Sequence, residues 1–202
     1  METEHILFDN EKLISAILCG KVVSFPTETV YGLGVVYDSM EAFEKLVEVK
    51  KRRPDKPFTL MLGRIEDIKR YAYVNDKINR VISHFMPGEI TILIKPRENL
   101  YEWVTLNSKY IGIRVPDYKE VCSLINEVGK PLLVTSANMS GDPVLKNYEE
   151  VCDVFDGKVS YIVKGETRSS KPSTIVICDE DLSLVREGNI SFEDIKKVWG
   201  GK

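Results

Sequence analysis

The chain has 202 residues, of which 43% are hydrophobic and 29% charged, an ordinary globular composition that excludes a collagen-like, disordered or coiled-coil chain. Its 28 lysines and arginines against 31 aspartates and glutamates leave a formal charge of −3, which is opposite in sign to the basic excess of a generic nucleic-acid binder but leaves a local basic patch open. A chain of this length buries roughly 70% of its extended surface on folding, so it needs no disulfide or metal staple; it suits one large domain or two small ones.

Asp9 or Asn10 can cap a first helix with Leu13, Ile14, Ile17 and Leu18 on one face, ended by Gly20. Residues 21–25 read as a strand and 26–34 as a loop. Ser39 can cap a second helix whose inner face is Phe43, Leu46 and Val47. Residues 58–62 form a predicted strand, followed by helical stretches near 65–71 and 76–85, the latter stopped by Pro87-Gly88. Strands are expected at 90–95 and 111–115. Asp117 is a candidate cap for a helix carrying Val121, Leu124, Ile125 and Val128, closed by Gly129. A buried strand at 131–135, a short helix at 148–155 and strands at 161–163, 174–178 and 183–185 follow. Ser191 with Asp194 resembles a capping box that starts a last helix. Helices and strands interleave throughout, without repeats or a long linker. The expectation is a single α/β domain over 1–202, built on one twisted mixed sheet with flanking helices.

No apolar run approaches the roughly 20 residues needed to span a bilayer. The acidic N-terminus lacks the pattern of a secretory signal, so a cytoplasmic protein is expected. Cys19, Cys122, Cys152 and Cys178 are scattered, without a C-x-x-C pair, and read as buried reduced thiols. His5 and His84 belong to no metal-ligand spacing. There is no G-x-x-x-x-G-K-[ST] phosphate loop, no complete G-x-G-x-x-G and no G-x-S-x-G elbow.

What remains is a set of polar segments beside apolar strands. Residues 24–34 put three hydroxyls and a carboxylate between two strands, with Gly32 and Gly34 to let backbone approach a ligand; alone, they fit a plain turn as well. Lys50 to Lys56 holds five cations in seven residues. That suits phosphate, carboxylate or nucleic acid, or complements a helix C-terminus. In 132–141 a buried strand runs into Ser136, Asn138 and Gly141, either an anion-binding loop at a strand end or an Asn/Ser/Gly turn. Arg114 lies inside an apolar strand and needs a partner or a ligand. Ser173 and Thr174 begin a strand, and Arg186 ends one.

In their order and spacing these segments resemble the YrdC-like domain family of threonylcarbamoyl-AMP synthases. The resemblance runs over about residues 10–190, through Pro26-Thr27-Glu28-Thr29-Val30-Tyr31-Gly32-Leu33-Gly34, Lys50-x-Arg52 and Pro87-Gly88-x-Ile90-Thr91. It continues through Ile113-Arg114-Val115-Pro116, Ser136-Ala137-Asn138-x-Ser140-Gly141, Ser173-Thr174-Ile175-Val176 and Arg186-x-Gly188. The chain departs from the family where Arg53 precedes Pro54, which leaves Lys51 and Arg53 as a second register for the cationic pair. It also departs at Glu89, at Thr135, and at Met61, where some members have histidine.

The resemblance implies a YrdC-like fold with a large, concave, positive cavity, in its short single-domain form. It implies an enzyme that combines L-threonine, bicarbonate and ATP into threonylcarbamoyl-AMP and pyrophosphate, for the threonylcarbamoyladenosine modification of tRNA. Carried onto this sequence, Thr27, Thr29, Tyr31, Arg114 and Ser173 are expected at threonine, with Arg114 on its carboxylate. Lys50 and Arg52 are expected at the ATP phosphates as the catalytic pair, and Ser136, Asn138 and Arg186 around the nucleotide. Mg2+ is expected with ATP rather than in a protein metal site, and tRNA-modifying machinery downstream, with weak RNA contact. Two other readings are a double-stranded RNA-binding module without adenylate-forming activity, and carbamoyl transfer of the hydrogenase-maturation kind.

Overall fold

Ten strands form one sheet in the order β1-β8-β2-β3-β7-β4-β6-β5-β9-β10. The computed structural model describes residues 2–53 and 57–201. Pro54, Asp55 and Lys56 of the basic stretch lie outside the described residues. In chain order the elements are β1 (Glu4–Ile6), α1 (Asn10–Leu18), β2 (Val23–Phe25), β3 (Gly32–Val36), α2 (Met40–Lys50) and β4 (Thr59–Met61). A 3-10 turn at Ile65–Asp67 leads into α3 (Ile68–Tyr71), then α4 (Asp76–Phe85), β5 (Ile90–Ile94), α5 (Glu102–Thr105) and β6 (Ile111–Arg114). The rest are α6 (Lys119–Val128), β7 (Leu132–Ser136), α7 (Tyr148–Phe155), β8 (Tyr161–Val163), β9 (Thr174–Cys178), β10 (Leu182–Arg186) and α8 (Phe192–Trp199). The expected α/β architecture with a mixed sheet and flanking helices is what the chain adopts. The β1–β8, β2–β8, β4–β6 and β5–β9 pairs are parallel and the others antiparallel.

The sequence dictates most of this directly. All five residues of β3 and all four of β6 are buried, as continuous apolar strands should be when both faces are covered. The edge strands β1 and β10 are polar or exposed. Asp9, Ser39 and Ser191 cap α1, α2 and α8 by accepting the backbone N–H three residues on, and Gly129 ends α6 at φ 73°. No helix among the described residues is long and apolar enough to cross a membrane.

Three expectations need correction. Residues 32–34, expected in a loop, begin the strand β3. Their two glycines mimic a turn, but Leu33 and Val35 are core, and a Cβ on Gly34 would lie 2.8 Å from the Phe25 ring. Gly34 therefore serves packing, not ligand approach. Asp117 does not cap α6; Tyr118 holds that position without a side-chain bond, and Asp117 accepts from Arg168 Nη1 at 3.0 Å. Of the four free cysteines only Cys178 is buried; Cys122 and Cys152 are half-buried and Cys19 is exposed. The strand β1 carried no expectation, because its pattern is too short and polar to read without its partner β8.

Candidate active site

Register decides where the site lies. Thr59 pairs with Val134 and Gly112, Met61 with Arg114, Gly32 with Ser136, and Thr91 with Ile175. Directly paired residues point to the same face, and so do residues two apart on one strand. Thr59, Met61, Thr91, Arg114, Val134 and Ser136 all line one cavity of about 170 Å³. The cavity is therefore floored by alternate residues of the central strands. Thr27, Thr29, Val30 and Tyr31, with Arg52, Pro57-Phe58, Pro172-Ser173 and Arg186, form its walls. Of the 132–141 segment read as a strand-end loop, Ser136, the last residue of β7, lines the cavity, which as a whole extends across a face of the sheet.

The wall at 27–31 is internally bonded. Thr27 Oγ1 donates to the Val30 carbonyl at 2.7 Å and accepts from the Thr29 backbone N–H at 3.2 Å. Its single proton being spent, the 2.9 Å contact between the two threonine hydroxyls has Thr29 as donor. Tyr31 is fully buried, and its one hydroxyl proton is shared between the carbonyls of Val163, at 3.0 Å, and Gly165, at 2.8 Å. Burial pushes the phenol well above its ordinary range. Tyr31 thus gives the cavity its ring and spends its hydroxyl on the segment after β8.

Three guanidiniums face the cavity. Arg114, at the end of β6, is 6% exposed. Its Nη2 donates to Glu28 Oε1 and to Thr29 Oγ1, both at 2.8 Å. Glu28 is 2% exposed, so this is a buried ion pair. Glu28 Oε2 and Arg114 Nε are buried without a hydrogen-bond partner. Arg186 reaches in from the edge strand β10 and donates from Nε and Nη2 to the Ser173 carbonyl at 3.1 and 2.8 Å. Although the residue as a whole is exposed, its guanidinium is partly enclosed; that burial, and then the like charge of Arg114, lower its pKa. Ser173 Oγ lies 2.9 Å from Thr91 Oγ1. Arg52 donates to the Pro57 carbonyl at 2.9 Å and stacks its guanidinium 4.9 Å from the Phe58 ring centre.

Lys50 and Asn138 differ from the other candidates: neither lines the cavity. Lys50, the last residue of α2, is 2% exposed and runs beneath the loop after β7. Its Nζ donates to the Ser136 carbonyl at 2.5 Å and to Asn138 Oδ1 at 2.6 Å. Asn138 Oδ1 also accepts from Ser136 Oγ at 2.6 Å, while its amide nitrogen donates to the Met139 and Asp142 carbonyls. Burial, and then the charge of Arg52, push the Lys50 ammonium down to about 7. Lys50 braces this loop from below, and Arg52 is the member of the pair on the cavity wall. Lys51, in the left-handed region at φ 48°, and the exposed Arg53 do not line the cavity either.

Eight of the ten candidate residues thus share the cavity: Thr27, Thr29, Tyr31, Arg52, Arg114, Ser136, Ser173 and Arg186. Thr59 and Thr91 are polar floor residues without an assigned role in the sequence reading. Their signal was a single hydroxyl at strand period in an otherwise apolar run. Glu28 was legible as a carboxylate, but its pairing with Arg114 spans 86 positions and could not be read locally.

A family model described as Telomere recombination, covering Sua5, YciO and YrdC, matches residues 15–188. The chain belongs to this Sua5/YciO/YrdC family. A Bacillus subtilis member named threonylcarbamoyl-AMP synthase is 36% identical over 187 residues, 89% of this chain and 53% of that protein. A Wigglesworthia glossinidia brevipalpis threonylcarbamoyl-AMP synthase is 32% identical over 168 residues, 81% of this chain and 86% of that one. The crystal structure of Pyrococcus abyssi Sua5 complexed with L-threonine superposes with a TM-score of 0.90 at 30% identity, covering 97% of this chain and 61% of that one. The chain thus spans about half of the Bacillus relative and about three-fifths of the Pyrococcus one.

Proposed function

We propose that this Sua5/YciO/YrdC-family chain is a threonylcarbamoyl-AMP synthase, converting L-threonine, bicarbonate and ATP into threonylcarbamoyl-AMP and pyrophosphate. The observation that carries the reading is the convergence of Arg52, Arg114 and Arg186 with threonine and serine hydroxyls in one cavity. This donor set is made for carboxylate and phosphate oxygens. Arg114 takes the threonine carboxylate, beside Thr27, Thr29, Tyr31 and Ser173. Arg52 takes the ATP phosphates, while Ser136, held by Lys50 and Asn138, and Arg186 border the nucleotide.

In this reading the threonine amine and bicarbonate condense to N-carboxythreonine with loss of water. The new carboxylate attacks the α-phosphorus and expels pyrophosphate. Such chemistry draws on alignment and charge neutralisation more than on an acid–base group, which fits a cavity of guanidiniums and hydroxyls. Magnesium travels with ATP as part of the substrate, held by phosphate oxygens and water. The adenylate then passes to machinery that modifies tRNA. An RNA-binding module has less support, since the net charge is −3 and these three arginines turn into a small cavity rather than along a surface.

The test is pyrophosphate release from ATP with each component omitted in turn. The reading expects release only when L-threonine and bicarbonate are both present. ATP turnover that ignores the omission of threonine overturns it.

A further inference from the structure

The inference concerns Glu28 and rests on the reading of the cavity as an adenylate-forming site. A cavity with three guanidiniums draws polyphosphate along its whole length, because each added phosphate charge finds a cation. An amino acid carries a single carboxylate and must nevertheless be seated at one end. Arg114 is bonded to a buried carboxylate, whereas Arg186 gives its bonds to a neutral carbonyl.

We infer that Glu28 is a positioning and specificity residue: it fixes Arg114 and cancels its charge, so that this end of the cavity accepts an amino-acid carboxylate and turns polyphosphate away. Burial argues that Glu28 acts through Arg114 and not on the ligand. Glu28 does not line the cavity, its Oε1 is bonded to Arg114, and its Oε2 is sealed from solvent. Arg114 Nε is sealed as well, so Arg114 presents its terminal nitrogens. One of these, Nη2, is held at 2.8 Å by both Glu28 and Thr29, and Thr29 is tied to Thr27. The guanidinium is thereby oriented from behind and neutralised by one group.

Two variants separate charge from packing. Glu28→Gln keeps the size and an acceptor for Nη2 but leaves Arg114 uncompensated; Glu28→Asp keeps the charge on a shorter arm. The measurement is steady-state pyrophosphate release with tripolyphosphate as inhibitor. For the unaltered protein the inference expects tripolyphosphate to compete with ATP and not with L-threonine. For Glu28→Gln it expects competition with both, the apparent threonine KM at saturating ATP rising at least tenfold as tripolyphosphate is added, with kcat within about threefold. Glu28→Asp should return to the original inhibition pattern. Glu28→Gln retaining that pattern overturns the inference, as does Glu28→Asp behaving like Glu28→Gln. If the unaltered protein releases no pyrophosphate, the functional reading fails by itself. Calorimetric titration of L-threonine and tripolyphosphate into the unaltered protein and both variants then still reports on Glu28. Should neither variant fold, tripolyphosphate displacing L-threonine from the unaltered protein overturns the inference, and its failure to do so supports it.

Discussion

Replacing Lys50 by methionine tests the burial of its ammonium without reference to any substrate. The ammonium loses its proton at about 7 in the folded chain, against an ordinary 10.5. One pH unit of such a difference is worth about 1.36 kcal/mol, so holding the charged lysine in the fold costs about 5 kcal/mol at acid pH. The sign follows from proton counting. Between pH 7 and 10.5 the unfolded chain binds the extra proton, so stability rises with pH, by up to about 1.4 kcal/mol per unit. Methionine fills the same space and does not titrate. The stability difference, unaltered minus Lys50→Met, should therefore grow by about 1.6 kcal/mol from pH 7.0 to 8.5. The half-buried Cys122 and buried Cys178 thiols, pushed up to about 11 and about 12 in the folded chain, are common to both proteins, so their titration cancels in the difference. Urea unfolding followed by tryptophan fluorescence, at several pH values with equal m-values, reads the difference. Parallel stability curves would refute the reasoning, because a lysine that stays charged across this range cannot be desolvated as its position requires.

Arg114→Ala removes one member of a buried ion pair and strands Glu28, which should cost about 3–5 kcal/mol in urea unfolding. It should also lower threonine-dependent pyrophosphate release by on the order of 100-fold, as loss of a single oriented charge donor does. Tyr31→Phe deletes the hydroxyl that ties the wall to Val163 and Gly165. About 1–3 kcal/mol of stability should be lost. Because that hydroxyl points away from the cavity, kcat should stay within a few-fold in the same pyrophosphate assay.

Local chemistry made much of the fold legible. Ser39 and Ser191 announced helix starts because a capping side chain needs only its own next three residues. The apolar periods of α4 and α6 announced buried faces for the same kind of reason. What depended on partners was hidden. The strand β3 looks like a loop until β2 and β7 hydrogen-bond it on both sides. Arg114 was legible as a cation that needed a partner, but Glu28 as that partner required the tertiary fold. Lys50 matched a motif, yet its burial beneath Ser136 and Asn138 follows from where α2 ends relative to β7. Thr59 and Thr91 looked like ordinary strand threonines until register aligned their rows with Val134, Gly112 and Ile175.

The setting of the cavity on one face of the sheet has a consequence for how the protein can be altered. Along β4, β5 and β6, Leu60, Ile92 and Ile113 belong to the buried core, while their neighbours Thr59, Thr91 and Arg114 look into the cavity, and Met61 belongs to both. Binding and folding are thus written on alternate letters of the same strands. A library that varies Thr59 and Thr91, with the Arg114 ion pair and Met61 kept, can search new carboxylate or phosphate ligands while leaving the packed parity intact. The reverse holds for stabilising changes made at Leu60, Ile92 or Ile113. A one-residue slip of any central strand would exchange the two sets at once, presenting core residues to the cavity and burying its polar groups.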